Sequence, residues 1–364
     1  MKRSLKTFAA LGFCVLFFCM CAFFSLGMLI PGASVAVEGA KMPQLITDGR
    51  ISGSFGNDFE DWFSKRFAFR GKIVDAFSSL REALFRTGNE QVVVGSDGFL
   101  YFADTLDSFL HTNPMTHEEI AAAASALANL SDYAKQHGAR LLFFAAPNKN
   151  TIYPEYMPGR YRAAVSDTPS DLDRLYAYLS ENTDVDYLDL RPVLTEAKTE
   201  GLLYHKRDSH WNGLGAHIAY RAIMEHLALP TPDYSGMTRL ETDRFEGDLD
   251  RLLYPGSVRY DANTTYDYSG LFVYTSAFSN EMDMVITTRS AGEAGRLLFF
   301  RDSFGSALLS DLAISFSGTQ LERAVPYRID ELNTLAADVV LVEITERNLR
   351  QLIQCDKRIS ETAG

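Results

Sequence analysis

The chain has 364 residues, of which 46% are hydrophobic and 23% charged, and a formal charge of −12. Such a composition excludes a mostly disordered chain. The acidic balance excludes nucleic acid as the main partner, because phosphate binding needs a basic face, and four cysteines are too few for a small disulfide scaffold.

Phe8 to Ile30 carries no charge and has the length of a membrane-spanning helix. Lys2, Arg3 and Lys6 precede it and no basic cluster follows. The positive-inside rule then predicts a single-pass protein of the cell membrane, with a cytoplasmic N-terminus and the rest of the chain outside. The other reading is a cleaved signal peptide, whose apolar region of roughly 7–15 residues is shorter. Ser34-Val35-Ala36 resembles a cleavage site. Cys14, Cys19 and Cys21 fall inside the apolar run as small apolar residues, which leaves Cys355 alone outside. Residues 1–30 are thus expected as tip and anchor, 31–54 as a linker, and 55–364 as one extracytoplasmic domain.

Apolar residues recur at helical spacing from Phe59 to Leu84, predicting one or two amphipathic helices. Gln91 to Phe102 reads as two short strands around a Gly-Ser-Asp-Gly turn. Thr116 with Glu119 forms a capping box for an Ala-rich helix running to about Gln136. Arg140–Ala146 is an apolar strand, Asp171–Ser180 a helix, Val185–Leu190 a strand and Gly213–Leu227 a helix. Residues 231–290, rich in Tyr, Asp, Thr and Gly, break the rhythm and are expected as an insertion. Arg296–Phe300 is a strand followed by helix to about Leu312; Asp338–Val342 is a strand, with a helix from Thr345 to Ile353. Helices alternating with uninterrupted apolar strands predict an α/β fold: a mostly parallel sheet covered on both faces.

In such a sheet the ligand site lies at the carboxyl ends of the strands. Those ends carry Pro147-Asn148-Lys149, Asp189-Leu190-Arg191, Arg301-Asp302-Ser303 and Glu343 to Arg347. Ser303 follows a strand and precedes a helix, where its hydroxyl is exposed and backbone N–H groups are free to hold an oxyanion. On local sequence alone the same position reads first as a plain helix cap, since serine is a common capping residue. A nucleophilic serine needs an imidazole, and the imidazole needs an acid to fix its tautomer. Asp208-Ser209-His210-Trp211-Asn212 supplies both, with Trp211 as a shield against water and Asn212 as a helix cap. Read without catalysis, the segment is a solvated loop with an aromatic anchor. A metal reading through His205, Asp208 and His210 lacks cysteine ligands and the i, i+4 helical spacing, so no metal ligand and no cofactor is assigned.

Several segments resemble the DHHW proteins and the alginate O-acetyltransferase-like (AlgX/AlgJ-type) branch of the SGNH hydrolases. They are Phe59–Arg70, Val94–Tyr101, Pro147–Glu155, Asp208–Asn212, Gly247-Asp248-Leu249, Asp302–Gly305 and Glu343–Leu349. The resemblance covers about Phe59 to Ile353. It implies an SGNH-hydrolase-like three-layer sandwich with a Ser303–His210–Asp208 triad. Asp-Ser-His-Trp stands where the family name has a second histidine, at a position outside the triad. The Asp–His pair precedes the serine, the permuted order of the alginate-type branch. For the oxyanion and substrate, the candidates are the Ser303 N–H, Asn148 (equally a turn residue), Lys149 and Arg301, the last two equally at home in ion pairs. Glu343, Glu346 and Arg347 read as a structural ion pair or helix start.

Three functions follow as expectations. The first is a membrane-anchored O-acetyltransferase acting on a surface or secreted polysaccharide through an acyl-serine. Because activated acetyl donors are cytoplasmic, the resemblance implies a polytopic membrane-bound O-acyltransferase as acyl donor. The second is a carbohydrate esterase or deacetylase with the same triad. The third is a non-catalytic polysaccharide-binding scaffold. Tyr254, Tyr260, Tyr266, Tyr268 and Tyr274 are a candidate sugar platform, or ordinary strand residues.

Overall fold

The structure is a computed structural model that describes residues 42–47, 50–66, 69–85 and 87–356, together with 15, 18, 19, 22 and 23. Most of the segment expected to span a membrane lies outside the described residues. Among those described, no helix is long and apolar enough to cross a membrane. The described residues form two compact units, one within residues 1–87 and 251–258 and one within residues 88–250 and 259–364.

The smaller unit holds the antiparallel pair β1 (Ile46–Thr47) and β2 (Arg50–Ile51) and the helices Phe55–Arg66 and Arg70–Phe85. Its segment 251–258 packs at Gly71 and Gly256, where a Cβ on Gly71 would sit 2.8 Å from the Gly256 Cα. The Tyr254 hydroxyl donates to the Glu82 carboxylate.

The larger unit begins with the hairpin β3 (Val92–Val94) and β4 (Leu100–Phe102). Asp97 and Gly98 turn it at φ of 52° and 83°, the left-handed pair a tight hairpin demands. The helix His117–Gln136 starts at the expected capping box: Thr116 Oγ1 accepts from the Glu119 N–H and Glu119 accepts from the Thr116 N–H. The strands that follow are β5 (Arg140–Ala146), β6 (Asp186–Leu188), β7 (Arg239–Glu246), β8 (Tyr260–Tyr266), β9 (Phe272–Tyr274), β10 (Val285–Ser290), β11 (Arg296–Phe300), β12 (Gly318–Glu322) and β13 (Val339–Thr345).

Seven of them form one sheet in the order β6-β5-β13-β11-β12-β10-β9. The first five run parallel, and β10 and β9 close one side antiparallel. Side chains alternate along the central strands. Leu142, Phe144, Leu297, Phe299 and Leu341 face one core with the helix Gly213–His226. Leu141, Phe143, Leu298, Phe300 and Val342 face the other with the helices His117–Gln136 and Asp171–Asn182. Burial on both faces is what makes these strands read as unbroken apolar runs. The result is the expected three-layer α/β sandwich with a mostly parallel sheet.

Two elements differ from expectation. The apolar pattern ends at Val342, yet β13 continues through Glu343 and Thr345, both fully buried. Loop 301–305 supplies polar partners to Glu343 Oε2 and to the N–H and hydroxyl of Thr345. Residues 231–290 also do more than interrupt the sheet: they form the separate β7–β8 ribbon, but β9 and β10 join the main sheet.

Candidate active site

The carboxyl ends of β5, β11 and β13 lie side by side and deliver three loops to one edge of the sheet. From β11 comes Arg301-Asp302-Ser303-Phe304-Gly305. This turn is bolted to β13 in both directions. Asp302 and Gly305 donate their N–H groups to Glu343 Oε2 at 2.9 and 3.1 Å. Asp302 Oδ2 in return accepts from the Thr345 N–H at 2.8 Å and from the Thr345 hydroxyl. Asp302 Oδ1 accepts from the Phe304 N–H at 2.9 Å. Burial pushes the Glu343 carboxyl well above its ordinary value, with the neighbouring Asp302 charge adding to the rise. Gly305 is required by space, since a Cβ there would meet the Arg301 Cβ at 2.6 Å and Glu343 Oε2 at 2.8 Å.

A further loop, 203–212, which follows none of these three strands but leads into the helix Gly213–His226, is closed by the Tyr204–Trp211 bridge. It carries Asp208 and His210. Its curvature leaves no room at Gly247, where a Cβ would lie 2.1 Å from the Arg207 carbonyl oxygen. Asp208 Oδ1 accepts from the His210 N–H at 2.9 Å and pairs with His210 Nδ1 at 2.7 Å; its Oδ2 accepts from the Asp248 N–H at 2.8 Å. On the far side of the imidazole, Nε2 lies 2.8 Å from Ser303 Oγ. The network assigns the imidazole proton to Nδ1, so Nε2 accepts from the serine hydroxyl.

The electrostatics follow from this geometry. Asp208 is 5% exposed. Burial alone would raise its carboxyl, but the His210 ring and the backbone N–H donors of Asp248 and His210 hold it well below the usual carboxylate range. Burial alone would likewise lower the His210 imidazole. Asp208, through its hydrogen bond and its charge, and then Asp248 outweigh burial and raise it, against a smaller opposing effect of Arg347.

The structure thus brings Ser303, His210 and Asp208 into one hydrogen-bonded chain. Ser303 does not cap the following helix: its hydroxyl faces His210, and the short helical turn opens at Gly305 with Phe304 as the cap residue. Asn212 is the helix cap expected of it, accepting from the Gly215 N–H at 2.9 Å. Trp211 is buried and donates its Nε1–H to the Phe304 carbonyl at 3.1 Å, so it braces the residue after the serine.

The other candidates are placed as follows. Lys149 is 3% exposed, and its three ammonium donors go to the carbonyls of His205, Lys206 and Asp208 at 3.0, 3.0 and 2.5 Å. That spends its whole donor set on the loop bearing Asp208 and His210, not on substrate or a carboxylate. Burial pushes this ammonium down to about 7, against the pull of Asp208, Asp248 and Asp261. Arg301 is also buried and binds the Ser306 hydroxyl at 2.7 Å and the Glu281 carbonyl at 2.8 Å. Asn148 is fully buried and forms no side-chain cap. Its amide reaches Ser108 Oγ at 3.4 Å and accepts from Arg347 at 3.3 Å. Glu346 accepts from the Asn148 N–H and the Thr151 hydroxyl, and opens the last helical turn. His205 stacks on Phe245 at 3.7 Å.

Two residues stand at the site that sequence reasoning did not place there: Asp248 had no role, and Arg347 read as part of a structural ion pair or helix start. Asp248 accepts from the Ser209 N–H at 2.8 Å and from its hydroxyl, and lies 3.8 Å from His210 Nδ1. Arg347 places its guanidinium 5.7 Å from the Phe304 ring centre and 5.5 Å from that of Phe102. The sequence signal that could have placed them here was their position in segments that resemble the family, Gly247-Asp248-Leu249 and Glu343–Leu349. Asp208, His210 and Asp248 also bring their ligand atoms within 4.8 Å of one another. Both imidazole nitrogens are nevertheless engaged, one by Asp208 and one by Ser303.

Comparison with known proteins is consistent with this architecture. The "Probable alginate O-acetylase AlgJ" of Pseudomonas aeruginosa is 27% identical over 234 residues, covering 60% of this chain and 53% of that protein. The protein of the same name from Pseudomonas putida is 23% identical over 175 residues, covering 48% and 44%. The chain spans about half the length of the curated relatives it matches. Among solved structures, a DHHW family protein from Eubacterium siraeum aligns with a TM-score of 0.56 at 17% identity, over 73% of this chain and 95% of that one. PatB1 of Bacillus cereus, solved with a sulfonyl adduct, aligns with a TM-score of 0.54 at 16% identity, over 72% and 98%. At those identities the likeness speaks for the fold. A family profile described as "SGNH hydrolase-like domain, acetyltransferase AlgX" matches residues 92–280. With just over half of its length matched to that profile, the chain belongs to the family of SGNH hydrolase-like domains of the acetyltransferase AlgX.

Proposed function

We propose that the protein is an O-acetyltransferase that acetylates a polysaccharide through an acyl-Ser303 intermediate. The observation that carries this reading is the continuous path from Ser303 Oγ through His210 to the Asp208 carboxylate, at 2.8 and 2.7 Å. His210 Nε2 takes the serine proton as Oγ attacks the acetyl carbonyl, then returns it to the departing donor. A sugar hydroxyl next attacks the acyl-serine, losing its proton to His210 and regenerating Ser303. Asp208 holds the Nδ1 proton and stabilises the imidazolium formed in each half-reaction. The Ser303 N–H is the leading oxyanion donor: carboxyl oxygens of Glu343 and Asp302 take the N–H groups of Asp302, Phe304 and Gly305. The buried Asn148 is a second candidate.

In the same reading, Phe8–Ile30 anchors the protein in the cell membrane with its catalytic domain outside. A polytopic membrane-bound O-acyltransferase delivers the acetyl group. The test is an acetyl ester donor with candidate oligosaccharides, read by mass spectrometry. Acetylated sugar is the expected product, and release of acetate alone, with no acceptor modified, would assign the triad to an esterase. Ser303→Ala should fold normally and lose both activities; full activity in that variant would remove Ser303 from the mechanism.

A further inference from the structure

A second cavity of about 400 Å³ lies in the larger unit, and none of Ser303, His210 and Asp208 lines it. Its size is within the range of small-molecule sites. The strand β8 forms one wall, the start of the helix Gly213–His226 a second, and Ala307, Ser310 and Asp311 a third. Those last two walls follow His210 and Ser303 in the chain by only a few residues. Of the five tyrosines singled out in the sequence, two line this cavity, Tyr266 and Tyr268. Tyr254 belongs to the other unit, and Tyr274 stacks on Phe278 at 3.9 Å.

The lining is aromatic and polar at once. His217 lies 5.0 Å from the Tyr266 ring, and Tyr234 packs behind both at 4.6 and 4.9 Å. Asp311, 3% exposed, fixes the cluster by accepting from the hydroxyls of Tyr234 and Tyr268 at 2.7 and 2.6 Å, with His217 Nδ1 at 3.3 Å. The aromatic rings are therefore held in place before any ligand arrives. At the rim stand Glu200, Glu241 and Arg239, with the planar amide of Asn263 inside. Rigid rings flanked by carboxylate, amide and guanidinium groups suit a pyranose: its C–H face stacks on an aromatic and its hydroxyls meet planar polar groups. With Asp311, three carboxylates against one guanidinium set a negative field, which repels uronate or phosphate and accepts an uncharged sugar.

We infer that this cavity is a saccharide-binding site for an uncharged glycan, separate from the triad. The acetyltransferase reading supplies the reason to expect a glycan, but binding does not depend on it. The experiment therefore measures binding in Ser303→Ala by calorimetry, with cellotetraose and tetra-N-acetylchitotetraose as neutral probes and trigalacturonate as the anionic one. At least one neutral probe should bind, more tightly than trigalacturonate. Tyr266→Ala in an otherwise native chain should weaken that binding about tenfold or more and leave hydrolysis of p-nitrophenyl acetate unchanged. Thr265→Trp, at an exposed strand position that tolerates an aromatic, plugs the same cavity and stands in if Tyr266→Ala does not fold. Absence of binding by both neutral probes, stronger binding of trigalacturonate, or undiminished binding in the folded variants overturns the assignment. Loss of acetyl transfer in the native chain with retained binding would instead strike the catalytic reading alone.

Discussion

Asp208→Asn isolates the electrostatic part of the site from its shape. The amide has nearly the size of the carboxylate, so packing is conserved and the charge is lost. In the native loop Asp208 accepts three hydrogen bonds, two from His210 and one from the Asp248 N–H. An asparagine cannot serve all three. If its oxygen faces His210, its NH₂ confronts the Asp248 N–H. If it flips, its NH₂ forces the imidazole proton to Nε2, where it faces Ser303 and the base is blocked. A carboxylate and an imidazolium with charge centres about 4 Å apart interact by about 4 kcal/mol at an effective dielectric constant near 20. Losing that term slows the step about 10³-fold, and the tautomer conflict extends the loss toward about 10⁴-fold. The pH profile gives an independent reading. In the proposed mechanism the working base is neutral His210, so wild-type kcat/KM should rise with pH through a value above 6.5, because Asp208 and Asp248 lift the imidazole despite its burial. Without the Asp208 charge, burial prevails and that limb moves to lower pH. The assay is p-nitrophenyl acetate turnover from about pH 5 to 9. A rate loss under about tenfold, or an acid limb that does not move, would refute the assignment of Asp208 to His210.

Three further substitutions probe the frame around the triad. Lys149→Met removes the donor to three carbonyls of the base-bearing loop and should lower kcat by about tenfold or more while circular dichroism stays native; unchanged turnover would remove Lys149 from the positioning of that loop. Gly305→Ala puts a Cβ 2.6 Å from the Arg301 Cβ and should cost about 1–3 kcal/mol in urea unfolding, with loss of activity; wild-type values in both would show that the turn relaxes freely. Glu343 has a folded pKa raised above its ordinary 4.5, so its contribution to stability is complete below that value and is lost as pH rises through the folded one. Glu343→Gln should therefore flatten the decline of Tm toward alkaline pH, and a steeper decline would contradict a neutral Glu343.

The fold was legible where burial dominates. Strands β5, β11 and β13 are apolar on both faces, and the capping box at Thr116 is local chemistry, so each could be read from neighbouring residues alone. The Asp208–His210 pair was legible for the same reason, being two residues apart on one loop. Ser303 was legible from local sequence as a position and its role entered only through the family resemblance, because a cap and a nucleophile share one local pattern and the contact with its imidazole comes from a residue 93 positions away. Lys149 misled for a related reason: an ammonium at a strand end reads as a substrate ligand until the three carbonyls that consume it are seen. The extension of β13 through Glu343 and Thr345 was hidden because a buried acid is tolerable only when distant backbone groups satisfy it. Asp248 and Arg347 act through long-range contacts that no spacing rule encodes.

The double bolt between the Asp302–Gly305 turn and β13 has a consequence for how such a domain can vary. Ser303 takes its position from the adjacent strands β11 and β13, not from the helix it precedes. Segments between the helix Gly213–His226 and β11 that touch neither the turn nor Asp208 and His210 are free to lengthen, shorten or acquire new elements without disturbing Ser303, provided the strand pairing, Asp248 and the loop at Asp208 survive. Under the proposed function, a domain built this way can exchange one glycan-facing surface for another while its acyl-transfer machinery stays in register.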